Sequence, residues 1–329
     1  MRLRLCIYIY SLAVFYVKAP RLGNYRAKHE HKPDTIRKEW YEMDKNILLT
    51  IEYDGSVFHG WQRQPDRETV QGHLETVLSS LLHTEILLNG TSRTDAGVHA
   101  YGQRASFTAD VKIPVEKLAL VINNILRSRE KGSFAASPVR IVKAEEKPAD
   151  FHARFDSKGK KYIYRIHNAE KSSVFLRNYV YHVPEKLDTD AMRRAAEYLR
   201  GTHDFKSFEA SGSTPRQTTV RTIYDAEIIV NEESAHSSNS MESEDGFKSP
   251  GAEPGGDRTA CRADRNIEIH VSGDGFLYNM VRIITGTLVD IGAGKLAPEE
   301  MKRIIEAKDR TKAGHTAPPY GLYLAEVYY

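Results

Sequence analysis

Between residues 46 and 328 the chain interleaves short apolar runs of period two with apolar positions spaced on one side of a helix, the mark of mixed strands and helices. Residues 46–53 (NILLTIEY) read as a strand, closed by the turn Asp54-Gly55-Ser56. From Val70 to Leu82 the apolar residues fall at 70, 74, 77, 78, 81 and 82, which predicts an amphipathic helix. Residues 85–89 and 103–108 are rich in β-formers and predict two strands with a loop between them. Pro114 suits the first turn of a helix running to Leu126, and residues 138–145 predict another strand.

The pattern then restarts. Residues 160–167 (KKYIYRIH) predict a strand, 188–199 a helix, and 220–230 and 266–271 two strands of matching character. Residues 276–288 carry apolar side chains at 276, 280, 283, 284 and 288 and predict a helix. Pro298 with Glu299 and Glu300 opens a further helix with acids at its positive end. A strand over 322–328 closes the chain. The elements imply an α+β fold with antiparallel sheets in two subdomains of similar order, residues 43–148 and 149–329, although no residue-level repeat accompanies that order.

Two stretches fall outside this pattern. Residues 231–265 are rich in Ser, Glu, Gly and Pro, with eight acidic against four basic residues. Such a segment buries too little apolar surface to offset its ordering entropy, so a disordered insert between two strands is expected, held away from any polyanion. At the other end, Arg2 and Arg4 precede the uncharged residues 5–17, which resemble a signal peptide but are too short to span a bilayer as a helix. The run ends Val17-Lys18-Ala19-Pro20 without a small-x-small cleavage site. Residues 1–42 are therefore expected to be a non-core extension, with Met43 as the natural start and an export signal as the rival reading.

Composition adds bounds. The chain has 329 residues, 40% of them apolar and 28% charged, enough for two ordinary domains. Net charge is only +3, so a nucleic-acid partner would have to be met by a local cationic surface. The two cysteines, Cys6 and Cys261, exclude a disulfide framework and suit a reducing cytoplasm. No metal site is expected. Gly292-Ala293-Gly294-Lys295 fails as a P-loop, since Val289 stands where the first glycine is required and Leu296 where Ser or Thr is.

The chemistry concentrates in Asn89-Gly90-Thr91-Ser92-Arg93-Thr94-Asp95-Ala96-Gly97-Val98-His99-Ala100. Small residues there let a substrate approach the backbone, and the Asp95 carboxylate could serve as nucleophile, general base or cation ligand. Arg93 is placed to pair with it and hold it ionised. On residue types alone an Asp-Gly loop is more often a structural turn.

Arg93-Thr94-Asp95-Ala96-Gly97-Val98-His99 resembles the signature of the tRNA pseudouridine synthase A (TruA) family. Further matches follow in family order: Tyr53-Asp54-Gly55, Phe58-His59-Gly60-Trp61-Gln62, Phe151-His152-Ala153-Arg154-Phe155, Lys161-Tyr162, Asn279-Met280-Val281-Arg282, Thr316-Ala317-Pro318 and Gly321-Leu322-Tyr323-Leu324. The resemblance implies the pseudouridine synthase fold with a central basic cleft, and isomerisation of uridine to pseudouridine without cofactor or metal. The substrate it implies is the tRNA anticodon stem-loop, at tRNA positions 38, 39 and 40, and it implies a homodimer. Asp95 would be the nucleophile, with ribose C1′ and uracil C6 both open to its attack. Tyr162 would stack on the target base, and Arg282 would pair with the nucleophile. Arg93 would help displace the nucleotide, as base flipping requires. Leu322 and Leu324 would form the apolar floor. Arg104, Arg154 and Arg221, with Arg216 and the basic residues 158–165, would contact phosphates. Ser92 stands where family members often have glycine. The rival functional reading is a non-catalytic tRNA-binding or folding factor on the same scaffold.

Overall fold

The computed structural model describes residues 44–129, 136–212, 217–232 and 264–329, all within one unit, Glu42–Tyr329. The expected N-terminal extension lies outside the described residues, as do both cysteines, Arg216, and most of the expected insert.

In chain order the elements are β1 (Asp44–Tyr53), α1 (Val70–Leu82), β2 (Asn89–Gly90), β3 (His99–Asp110), α2 (Val115–Arg129), β4 (Val139–Lys147) and β5 (Gly159–Asn168). They continue with β6 (Tyr181–His182), α3 (Thr189–Glu197), β7 (Gly201–Asp204), β8 (Val220–Glu232), β9 (Arg265–Gly273), α4 (Met280–Gly292), α5 (Glu300–Ala307) and β10 (Leu322–Tyr328). Mixed helices and a largely antiparallel sheet make this an α+β fold, as expected.

The strands form one sheet in the order β4-β1-β3-β10-β5-β9-β8-β7, with β2 added on β3 and β6 on β5. The C-terminal strand joins the halves. β10 pairs parallel with β3 through Tyr323↔His99 and Leu324↔Ala100, and antiparallel with β5 through Leu322↔Tyr164 and Leu324↔Tyr162. Strands contributed by residues before and after position 149 thus become neighbours beneath one site.

Apolar positions explain the layers. Ile47, Leu49 and Ile51 of β1 are fully buried in one core with Val70, Leu74, Val77 and Leu78 of α1 and Leu118, Ile122 and Leu126 of α2. Ile267, Ile269 and Val271 of β9 share it with Met192 of α3 and Ile283, Ile284 and Leu288 of α4. The Thr69 side chain caps α1 by accepting from the Gly72 amide, and Asp188 caps α3 by accepting from Asp190 and Ala191.

Two predicted elements change. Residues 85–88 form no strand, because their amides are taken by side chains of the preceding helix. Ile86 N donates to Ser79 Oγ at 2.9 Å and Leu88 N to Glu75 Oε1 at 2.9 Å, leaving only Asn89–Gly90 to pair with β3. The helix expected from 276 begins at Met280, since Asn279 takes a left-handed backbone (φ 58°) that an α-helix cannot contain. The segment 276–278 is thereby released into the site. At the insert, β8 runs on to Glu232 and β9 starts at Arg265, so its first and last residues are strand.

Candidate active site

The expected loop occupies the floor of a cavity of about 910 Å³ lined from both halves of the chain. Thr91 to Asp95 come from the first half, while Lys160, Tyr162, Phe276, Arg282 and Leu322 come from the second. Among the described residues its charged lining comprises Arg67, Arg93, Arg154, Lys160 and Arg282 against the single acid Asp95, a cationic surface of the kind the modest net charge required.

The loop is tied down residue by residue. Thr91 Oγ1 bonds the carbonyl of Ala153 and the hydroxyl of Tyr329, each at 2.9 Å, and Lys160 Nζ donates to the Thr91 carbonyl at 3.0 Å. The Thr94 carbonyl accepts from Trp61 N at 3.0 Å, and Thr94 Oγ1 meets Tyr53 Oη at 2.6 Å. A turn closed from Val98 N to the Asp95 carbonyl at 3.1 Å then carries the chain into β3. Gly60 backs the loop with φ +87°, and a Cβ there would sit 2.7 Å from the Thr94 carbonyl oxygen, so only glycine fits.

Asp95 is half-buried, and Arg282 Nη1 donates to its Oδ2 at 3.3 Å. Burial raises the carboxyl above its ordinary value, while the charge and hydrogen bond of Arg282 pull it back down. Arg282 is itself held by two further acceptors, the Ala317 carbonyl at 2.7 Å from Nε and Asn279 Oδ1 at 2.6 Å from Nη1. The left-handed Asn279 thus starts α4 and also aims its arginine.

Tyr162 is buried, with its hydroxyl 2.9 Å from Ser92 Oγ and the ring edge-on to Phe276 at 5.0 Å. Burial pushes its phenol up to about 12, the Ser92 bond works against that rise, and the nearby Asp95 charge adds to it. The ring is therefore a neutral phenol at ordinary pH. Leu322 lines the cavity below it.

The structure places the other expected residues differently. Arg93 is exposed at the cavity and makes no hydrogen bond or ion pair among the described residues. The Arg93–Asp95 pair read from residue types is not formed, whereas the Arg282–Asp95 pair that the resemblance implied is, across 187 positions of sequence. Leu324 is fully buried beside Tyr162 in the sheet, outside the cavity lining. Arg104 lies outside the cavity too, bonded to Glu145 at 3.0 Å with its guanidinium over the Tyr329 ring. Arg154 is exposed on the lining, and Arg221 lies against Gly275, just before the lining residue Phe276.

His99, within the motif, is outside the cavity. Its Nδ1 accepts from Gly55 N at 3.1 Å and its Nε2 faces the Asn178 carbonyl at 2.9 Å. Those partners require a neutral ring protonated on Nε2, in keeping with the downward push of burial. The 3.3 Å approach of Asp54 to Nδ1 is therefore not an ion pair. His99 stacks on Tyr323 at 4.7 Å and serves the sheet.

Two contributors have no motif of their own: Gln103 and Phe276 act through positions that periodicity assigned to strand and helix. The legible signal for Gln103 was an amide within an apolar strand, where burial demands partners.

A sequence model of the tRNA pseudouridine synthase family matches residues 49–156 and 195–329. The tRNA pseudouridine synthase A of Caldicellulosiruptor bescii is 42% identical over 285 residues, covering 87% of this chain and 100% of that protein. Those of Ruminiclostridium cellulolyticum and Acetivibrio thermocellus are 44% and 41% identical, each over 285 residues with the same coverage.

Proposed function

Because the chain belongs to the tRNA pseudouridine synthase A family and is an isomerase acting on tRNA, we propose that Asp95 is its nucleophile. On this reading the uridines isomerised lie on the 3′ side of the anticodon stem-loop, at tRNA positions 38 to 40. The observation that carries the reading is the Asp95–Arg282 pair beside Tyr162, in a cavity whose remaining charges among the described residues are all positive.

The residues divide the work by their chemistry. Pseudouridine formation breaks the N-glycosidic bond, turns the uracil and rejoins it through carbon. A carboxylate that is partly desolvated yet kept ionised by a guanidinium is a nucleophile primed for that bond. Arg282 fixes the Oδ2 position and neutralises the ground-state charge. Tyr162 offers a ring face for the base, with Leu322 beneath. Its neutral phenol has too high a pKa to act as a general base unaided.

Arg93 supports the flipping role by contrast with its neighbours. Ser92 and Thr94 are both hydrogen-bonded into the protein, while the Arg93 side chain between them is unengaged, so it can enter the stack as the nucleotide leaves. Arg67, Arg154 and Lys160 would hold backbone phosphates at the rim. The family resemblance supports a homodimer acting in the cytoplasm, and among the described residues no helix is long and apolar enough to cross a membrane.

The test is incubation with unmodified tRNA followed by base-resolution pseudouridine mapping. Wild type should modify the anticodon stem-loop, and Asp95→Asn should yield no product while binding tRNA within about twofold of wild type. Turnover by Asp95→Asn would overturn the nucleophile assignment. Tight binding without any modification by wild type would favour a binding factor instead.

A further inference from the structure

Arg93 and Asp95 act at the tRNA only if the segment between Ser92 and Thr94 holds its place, and one buried side chain holds its Ser92 end. Gln103, on β3, is fully buried. Its Oε1 accepts from Ser92 N at 3.3 Å and from Arg104 N at 3.2 Å, and its Nε2 donates to the Ser92 carbonyl at 2.7 Å. Three of its four hydrogen-bonding positions are thereby used, two as acceptor and one as donor. The orientation is unambiguous, because turning the amide over would set its NH₂ against two backbone N–H groups.

The amide closes a ring with the Ser92 peptide, and the buried Tyr53 hydroxyl near it meets Thr94 Oγ1 at 2.6 Å. Arg93 sits between the two held residues, and Asp95 follows directly. From Ser92 the network continues outward to Tyr162 Oη at 2.9 Å, which is close enough to Asp95 for its charge to be felt.

Resting on the reading of the cavity given above, we propose that Gln103 is a positioning residue for the reaction. It sets the separation between the nucleophile and the ring that receives the base, acting through Ser92 on Tyr162 and on the segment that leads to Asp95. It touches no substrate. Its loss should therefore appear in the chemical step and not in tRNA affinity, since small displacements of reacting groups cost rate steeply.

The experiment compares Gln103→Met, Gln103→Glu, Ser92→Ala and the Gln103→Met/Ser92→Ala double variant in the full chain, by single-turnover pseudouridine formation, tRNA Kd and thermal melting. Gln103→Glu keeps the shape but removes both donors. Either Gln103 variant should lower the single-turnover rate roughly ten- to a hundredfold with Kd within about twofold. Ser92→Ala, which leaves the Gln103 ring with the Ser92 peptide intact, should lower the rate by a smaller factor. The double variant should be slowed less than the product of the single effects, because the two residues share one path.

A folded Gln103 variant with wild-type rate, a loss confined to Kd, or fully multiplicative effects would each overturn the proposal. If neither Gln103 variant folds, Ser92→Ala at wild-type rate overturns the Ser92–Tyr162 arm by itself, and a slowed Ser92→Ala supports it. Failure of wild type to modify tRNA would instead strike the proposed function, so the two outcomes stay distinct.

Discussion

Asp95 and Arg282 illustrate how a site residue is tuned by opposing effects. Burial disfavours the charged carboxylate, and the guanidinium at 3.3 Å favours it. Removing the guanidinium leaves burial unopposed, so Arg282→Gln should move the acid limb of kcat/KM to higher pH, as a pH–rate profile would register. The sign for stability is opposite to that of an ordinary salt-bridged aspartate. A carboxyl whose folded pKa lies above its unfolded value binds more protons when folded, so stability falls as pH rises from the unfolded to the folded value. Above that window Asp95 weakens the fold, and Asp95→Asn should melt no lower than wild type at neutral pH. A clear drop in melting temperature at pH 7 would show that the Arg282 contact outweighs desolvation.

Elements set these residues at their distances. α4 is buried along nearly its whole length, and Gly286 lets the chain near His315 cross it so closely that an added Cβ would lie 1.8 Å from the His315 carbonyl oxygen. That crossing segment supplies the Ala317 carbonyl that holds Arg282. Gly286→Ala should therefore cost about 1–3 kcal/mol by overpacking, read by denaturant unfolding. It should also lower turnover by more than the lost folded fraction explains. On α1, Glu75 is buried and serves the 86–88 segment, accepting from Leu88 N while its other oxygen lies 3.1 Å from Arg63 Nη1. Leaving the buried Leu88 amide without its acceptor should cost about 1–3 kcal/mol, so Glu75→Leu is expected to unfold at lower denaturant.

For the whole molecule, local charge matters where net charge does not. A chain of net charge +3 presents a cavity that, among the described residues, holds five cations and one acid, so tRNA affinity should fall steeply with salt through counterion release. Arg154→Gln should reduce the slope of log K against log salt by about one. Arg104→Gln should leave that slope unchanged, since Arg104 is already paired with Glu145 away from the cavity. A slope lowered by Arg104→Gln would return that residue to the RNA surface.

Much of this was legible along the chain because it depends on near neighbours. Periodicity located α1 at Val70–Leu82 and β10 at Leu322–Tyr328, since a helix or strand that must bury one face writes that face into its spacing. The motif from Arg93 to His99 located the acid, its small-residue loop and the family. Other features rest on groups distant in sequence. Residues 85–88 had strand-forming composition, yet their amides went to side chains of α1. The apolar spacing ran back to Phe276, yet the left-handed Asn279 delayed the helix to Met280. Residue types pointed to Arg93 as the partner of Asp95, and only the family resemblance pointed to Arg282, which is its partner in space. Sequence by itself determined which residues could do chemistry and which segments could be regular. Tertiary structure decided which donor met which acceptor, because a buried polar group accepts whichever partner the packed sheet brings within about 3 Å, and β10 brings together residues the chain keeps far apart.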